Sequence, residues 1–169
     1  MDTADLSILE FTDDRAEAFQ AINAAWIADM FVLEAHDAHV LSHPRAAIVD
    51  RGGVILFVAS PDDGIIGTGA LMPVAPGVIE LTKMGVRAEL RGLKAGEFLL
   101  AALIERARAM APDTLFLLTS SKCRAAIHLY EKAGFVHDEA IRASYGATYA
   151  RCDVAMRYPL PGDNDGSER

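Results

Sequence analysis

Arg91-Gly92-Leu93-Lys94-Ala95-Gly96 packs two glycines and two cations into one short turn, and an amphipathic stretch follows at once. The first amides of a helix have no intrahelical acceptor, and the helix dipole adds partial positive charge there. Gly92 and Gly96 remove the Cβ atoms that would hold a ligand off the backbone. Such a turn suits a phosphate or pyrophosphate, with Arg91 and Lys94 adding mobile charge. An ordinary tight strand-to-helix turn accounts for the same glycines. The stretch lacks the GxxxxGK[ST] of a P-loop and the GxGxxG of a dinucleotide fold. Lys94 stands where a third glycine would complete the pattern. If that position needs only helical dihedrals, lysine adopts them with little penalty.

Glu80 lies inside the apolar run Val78 to Val86. A carboxylate on a central strand is unfavourable unless paired or hydrated, so it marks a site or an ion pair. Strict alternation puts Glu80, Thr82, Met84 and Val86 on one face and Ile79, Leu81 and Lys83 on the other, making Lys83 a poor partner. Trp26, Glu34, Asp37, Tyr145 and Tyr149 have the chemistry of an amine pocket, carboxylates drawing a cation and aromatics stacking on it. Each has a plainer reading: Trp26 in an apolar helical stripe, and Glu34 and Asp37 on a solvated face. Arg151 beside Asp153 reads as charge on the sheet surface. His36, His39 and His43 lack a carboxylate partner, and Cys123 and Cys152 lack metal-ligand spacing, so no metal is expected.

The elements that must position these residues follow from pattern. Leu6 to Phe11 reads as a strand. A helix is expected from Asp14, with Asp14 and Glu17 spaced as a capping box and Phe19, Ile22, Trp26, Ile27 and Met30 on its apolar side. A short helix around Leu33 to Leu41 ends before Pro44. Val54 to Ser60 and Ile65 to Val74 form a hairpin through Pro61-Asp62-Asp63-Gly64, and Val78 to Val86 is the next strand. A helix from about Gly92 to Met110, a strand Thr114 to Ser120 and a helix Cys123 to Ala133 follow. Phe135 to Ala140 and Tyr149 to Tyr158 read as strands. The order implies an α/β sandwich with a mixed sheet.

The 169 residues suit one domain, 1–160, and the Pro161 to Arg169 tail reads as disordered. A formal net charge of −8 argues against a nucleic-acid partner and is compatible with a cationic amine. No apolar run is long enough to span a bilayer, so there is no membrane partner. Nothing reads as a signal peptide, and a soluble, cytoplasmic protein with reduced thiols is expected.

The second motif is Ala126-Ile127-His128-Leu129-Tyr130-Glu131-Lys132-Ala133-Gly134-Phe135. With the Arg91 to Gly96 turn it resembles the GCN5-related N-acetyltransferase (GNAT) superfamily. The turn is similar to that superfamily's Gln/Arg-x-x-Gly-x-Gly/Ala pyrophosphate loop, and the second segment to its AIxLYEKxGF sequence. The likeness follows element order from Leu6 to Leu160 and is densest between Glu80 and Phe135.

The resemblance implies a single-domain fold, with a largely antiparallel twisted sheet of about seven strands and about four helices. Its acetyl-CoA cleft would lie where parallel strands 78–86 and 114–120 splay. Pantetheine would pair with backbone at Met84, Gly85 and Val86. Pyrophosphate would rest on Arg91, Gly92, Leu93, Lys94, Ala95 and Gly96, with Cys123 and Ala126 beside the cofactor. Cys123 stands where the family often has Asn, which bonds the CoA arm better than a thiol does. A primary amine of a small molecule or peptide would attack the thioester directly, with Tyr130 protonating the leaving thiolate and Glu80 as base. Trp26, Glu34 and Tyr149 would contact the acceptor, and the last strands often serve homodimers in this superfamily, which leaves the oligomeric state open here. The alternative is a non-catalytic acyl-CoA-binding or regulatory module of the same fold.

Overall fold

The computed structural model describes residues 5–90 and 94–161. Seven strands form one sheet: β1 (Ser7–Glu10), β2 (Val54–Ser60), β3 (Gly64–Ala75), β4 (Val78–Val86), β5 (Thr114–Thr119), β6 (Val136–His137) and β7 (Val154–Arg157), in spatial order β1-β2-β3-β4-β5-β7-β6. All neighbours are antiparallel except β4 and β5. The helices are α1 (Ala16–Met30), α2 (Ala35–Ser42), α3 (Pro44–Ala47), α4 (Ala95–Ala109), α5 (Arg124–Ala133) and α6 (Glu139–Tyr145).

Alternation along the central strands divides their apolar side chains between two layers. Leu56, Val58, Leu71, Ile79 and Leu81 meet Leu99, Leu100, Leu103 and Ala107 of α4. Ile55, Phe57, Ala70 and Met72 meet Phe19 and Ile27 of α1 and Val40 and Leu41 of α2. Each fully buried Leu or Phe contributes about 1.5–3 kcal/mol. The parallel β4–β5 pair lies in mid-sheet, covered on both faces, as parallel strands require.

Several local expectations are corrected. A 3-10 turn, Asp13–Arg15, precedes α1, and the Asp14 carboxylate accepts from the Thr12 hydroxyl instead of capping the helix with Glu17. The box-like contact occurs at α2, where Glu34 N–H donates to Asp37 Oδ2 at 3.0 Å. The strand expected over Phe135 to Ala140 is only Val136–His137. Asp138 then accepts from Ile141 N–H at 3.0 Å and starts α6. Side-chain capping thus outweighs the apolar run. The last strand begins at Val154, because Ala150 N–H is taken by Glu34 (3.0 Å) and Cys152 N–H by the Tyr149 carbonyl (3.3 Å). Six helices replace the four expected; α3 and α6 are the short additions, and Pro44 opens α3. Residues 162–169, most of the expected disordered tail, lie outside the described residues.

Candidate active site

The β4–β5 ladder runs from Val78–Thr114 to Leu81–Leu117 and stops, while both strands continue. A β-bulge opens the gap. Thr82 faces Ala70 and Gly85 faces Thr68, so Lys83 and Met84 together oppose Gly69. Lys83 sits at φ 53°, the left-handed region a bulge's first residue often adopts. Gly69 faces the bulge closely: a Cβ there would stand 2.6 Å from Leu103 Cδ1 and 3.4 Å from Met84, so Leu103 would have to shift. The resulting cleft is lined from β4 by Thr82, Lys83 and Met84, from β5 by Thr119, and from elsewhere by Trp26, Cys123, Tyr130 and Tyr149.

The bulge also corrects the face assignment. Met84 and Val86 pack on the α4 side with Ile79 and Leu81, whereas Lys83 reaches the α2 side with Glu80 and Thr82. Gly85 turns toward α1; a Cβ on it would lie 2.3 Å from Trp26 Cδ1. The indole is therefore seated on bare backbone, with Nε1–H donating to Asn23 Oδ1 at 2.9 Å. Trp26 is half-buried, one side on the core and one on the cleft.

Tyr130 reaches the cleft from α5, and the end of its motif fixes it there. Gly134 takes φ 114°, Gly134 N–H donates to the Glu131 carbonyl and Phe135 N–H to the Tyr130 carbonyl, at 3.1 and 3.0 Å. This is a Schellman cap, with its hydrophobic contact between Phe135 and Tyr130, ring centroids 5.9 Å apart. Burial raises the phenol pKa well above its usual value, with a smaller contribution from Cys123. Cys123 opens α5 and faces the cleft, and half-buried Ala126 packs into the α4–α5 layer.

A buried ion network closes the α2 end of the cleft. Lys83 Nζ donates to Asp37 Oδ1 at 2.7 Å and to Tyr149 Oη at 2.9 Å; the Lys83 and Asp37 side chains are 1% and 0% exposed. Arg151 grips the same carboxylate through two nitrogens, at 2.7 and 2.9 Å, and reaches Glu34 at 3.2 Å. These cations hold the Asp37 carboxyl far below its ordinary range against the opposing effect of burial. Burial lowers the Lys83 pKa, and Asp37 partly restores it. Tyr149 lies beneath both cations, 4.4 Å from Lys83 Nζ and 4.6 Å from the Arg151 guanidinium carbon. Glu34 and Asp37, expected on a solvated face or bound to an acceptor, are already paired, and Arg151 is half-buried instead of lying on the sheet surface. Asp153 instead accepts from Ser121 N–H and Oγ–H, both at 2.7 Å. Tyr145 stacks on Phe116, centroids 4.6 Å apart, away from the cleft lining.

Glu80 is 3% exposed, one residue behind the last β4–β5 pair. Burial pushes its carboxyl up to about 7 against a downward pull from Lys83. Burial also pushes the Cys152 thiol up to about 12, which leaves it protonated and unreactive at neutral pH. Among the described residues no cluster of three His, Cys, Asp or Glu side chains is placed to hold a metal ion.

At the mouth, α4 starts at Ala95 with no side-chain cap, leaving its first-turn amides without intrahelical acceptors. Lys94 precedes it at φ 61°, ψ 13°. The helical dihedrals expected for Lys94 are thus corrected: the position is left-handed, where glycine is favoured. At Gly96 a Cβ would meet only ordinary contacts, 3.6 Å to Leu129 and 3.8 Å to Val86, so packing does not demand glycine there. Arg91, Gly92 and Leu93 lie outside the described residues.

Sequence reasoning missed Lys83 and Arg151. The signal was a second charged residue, a lysine, in a largely apolar strand, discounted because strict alternation assumed no bulge. The acetyltransferase (GNAT) family profile matches residues 19–135. An uncharacterized N-acetyltransferase of Bacillus subtilis, YvbK, is 28% identical over 106 residues, 60% of this chain and 67% of that protein. A GNAT-family acetyltransferase from Staphylococcus aureus superposes with a TM-score of 0.81 at 20% identity, covering 92% of this chain and 99% of that one. Ribosomal-protein-alanine N-acetyltransferase from Brucella melitensis superposes at 0.68 and 20% identity, covering 91% and 99%. With the splayed parallel strands, the bulge and the capped tyrosine helix in place, the profile match over most of the chain makes this protein a member of the GNAT acetyltransferase family, an acyltransferase.

Proposed function

We propose that the protein is an acetyl-CoA-dependent N-acetyltransferase in which a primary amine attacks the thioester directly. The observation that carries this reading is the parting of β4 and β5 beyond Leu81 and Leu117, with Tyr130 lining the cleft and the uncapped start of α4 packed beside Val86 at the end of β4. Past Leu81 the β5-facing edge of β4 has no strand partner, so backbone at Met84 to Val86 is available to the amides of a pantetheine arm. Ala95, Gly96 and the residues just before them in sequence hold the pyrophosphate. Gly96, which packing leaves free to be another residue, is explained by close approach of phosphate.

In the transfer, the amine nitrogen bonds to the carbonyl carbon, the carbon–sulfur bond breaks, and the nitrogen's surplus proton leaves. Glu80, poised near neutrality by burial, receives that proton through water and returns it to solvent. Tyr130 hydrogen-bonds the departing sulfur. Its raised pKa keeps the phenol protonated at working pH, so it stabilises the developing thiolate as a hydrogen-bond donor, and the proton it passes to sulfur is regained from solvent. Neither cysteine is assigned a covalent step. The two free thiols suit a reducing, cytoplasmic setting, and no described helix is long and apolar enough to cross a membrane.

The test is amine-dependent thiol release from acetyl-CoA across a panel of primary amines. Turnover, with a kcat decrease of roughly 100- to 10,000-fold in Tyr130→Phe, supports the reading. CoA binding without release for any amine favours the non-catalytic module, and full turnover in Tyr130→Phe removes the acid assignment.

A further inference from the structure

We infer that the acceptor is a monoamine whose amine-bearing chain is apolar or aromatic, not a diamine or polyamine. This rests on the transfer reaction proposed above and specifies its substrate class. The only charged side chains lining the cleft among the described residues are Lys83 and Arg151, both cationic. The two carboxylates beside them are spent: Asp37 holds Lys83 and two nitrogens of Arg151, and Glu34 holds Arg151 and the Ala150 amide. Glu80 remains as a single carboxyl for a single reacting nitrogen. Lys83 and Arg151 are matched by Asp37 and Glu34, so a second ammonium would find, among the described residues, no free buried carboxylate to replace the water it loses.

In the groove on the other side of Trp26, Asp29 is an acid with no ion pair among the described residues, and it is exposed. Exposed ion pairs contribute about 0–1 kcal/mol, too little to favour a dication. Glu89 in the same groove is taken by Arg87 at 2.7 Å. The chain leading to the cleft is apolar where polar residues would be expected. Met30, Val32 and Leu33 are exposed in succession, Val32 at 79%, and between them Phe31 turns into the cleft. Lys122 and Arg151 lie 5.7 and 5.9 Å from the Phe31 ring centre, which occupies that aromatic face with cations the protein already owns.

The experiment compares kcat/KM for 1-aminopentane, 2-phenylethylamine and 1,5-diaminopentane with the full-length protein and acetyl-CoA, reading free thiol at pH 8 and low salt. The inference predicts that both monoamines exceed the diamine at least tenfold. Equal or higher kcat/KM for 1,5-diaminopentane overturns it while leaving the transfer reaction standing. No thiol release with any of the three, although acetyl-CoA binds, overturns the transfer reading and this inference with it.

Discussion

Asp37→Asn removes the charge on which the α2 end of the cleft is built. The Lys83–Asp37 pair is 2.7 Å apart with both side chains essentially inaccessible. At an effective dielectric of about 20 the attraction at that distance is about 6 kcal/mol. Desolvation of both ions offsets much of it, so the intact pair adds little net stability. Removing one partner is different, because Lys83 stays buried and Arg151 keeps only Glu34. A loss of about 3–5 kcal/mol is expected, a large part of the roughly 5–15 kcal/mol typical of a domain.

Urea unfolding at pH 7 measures that loss, and Asp37→Leu/Lys83→Met provides the control. If the penalty is an orphaned charge, the double variant recovers at least half of it. The pH dependence has a definite sign. The folded-state pKa of Asp37 lies below its unfolded value near 3.8, so its contribution is present above about pH 4 and lost as pH falls. Wild-type stability should drop more steeply than that of Asp37→Asn below that point. A loss under about 1 kcal/mol in Asp37→Asn, or strictly additive effects of Asp37→Leu and Lys83→Met, would refute the reasoning.

Three other perturbations separate ligand contacts from folding. Glu80→Gln should abolish an activity limb near pH 7, because the ionised carboxyl is the working form and activity rises as it deprotonates; a surviving limb in the kcat/KM profile excludes Glu80 as base. Gly96→Ala should hold or raise Tm, since alanine gains up to about 1 kcal/mol of helix propensity and has room. Its KM for acetyl-CoA should rise about tenfold, as for loss of about 1.4 kcal/mol of binding, and an unchanged KM would remove the phosphate assignment. Lys94→Gly should stabilise the protein in thermal unfolding by about 0.5–1 kcal/mol, the relief of a left-handed residue less the added chain entropy. CoA titration should show weaker binding from the lost ammonium, and a lowered Tm would contradict the strain.

The layers and the hairpin were legible because apolar period and turn residues decide them locally, whereas the parallel β4–β5 pair was expected only from the family resemblance and is present. Tyr130 was named through the AIxLYEKxGF resemblance, and the structure sets it against the cleft. Glu80 stood out as a carboxyl in an apolar strand, and the structure keeps it buried. What sequence pattern could not reveal is set by long-range contact. The bulge depends on Gly69 of β3 facing two residues of β4, and it moves Lys83 to the other face. Glu34 and Asp37 looked solvated until β7's approach brought Arg151 between them. α6 was hidden because Asp138 is a cap only when Arg157 and Ile141 N–H are both within reach.

The central claim is direct transfer in the splayed cleft. Initial rates of thiol release, measured over a grid of acetyl-CoA and 2-phenylethylamine concentrations with mass detection of the product, test it most directly. The account predicts intersecting double-reciprocal lines, one acetamide formed per thiol, and no release without amine. Parallel lines, with amine-independent thiol release and acetyl recovered on Cys123, would contradict it.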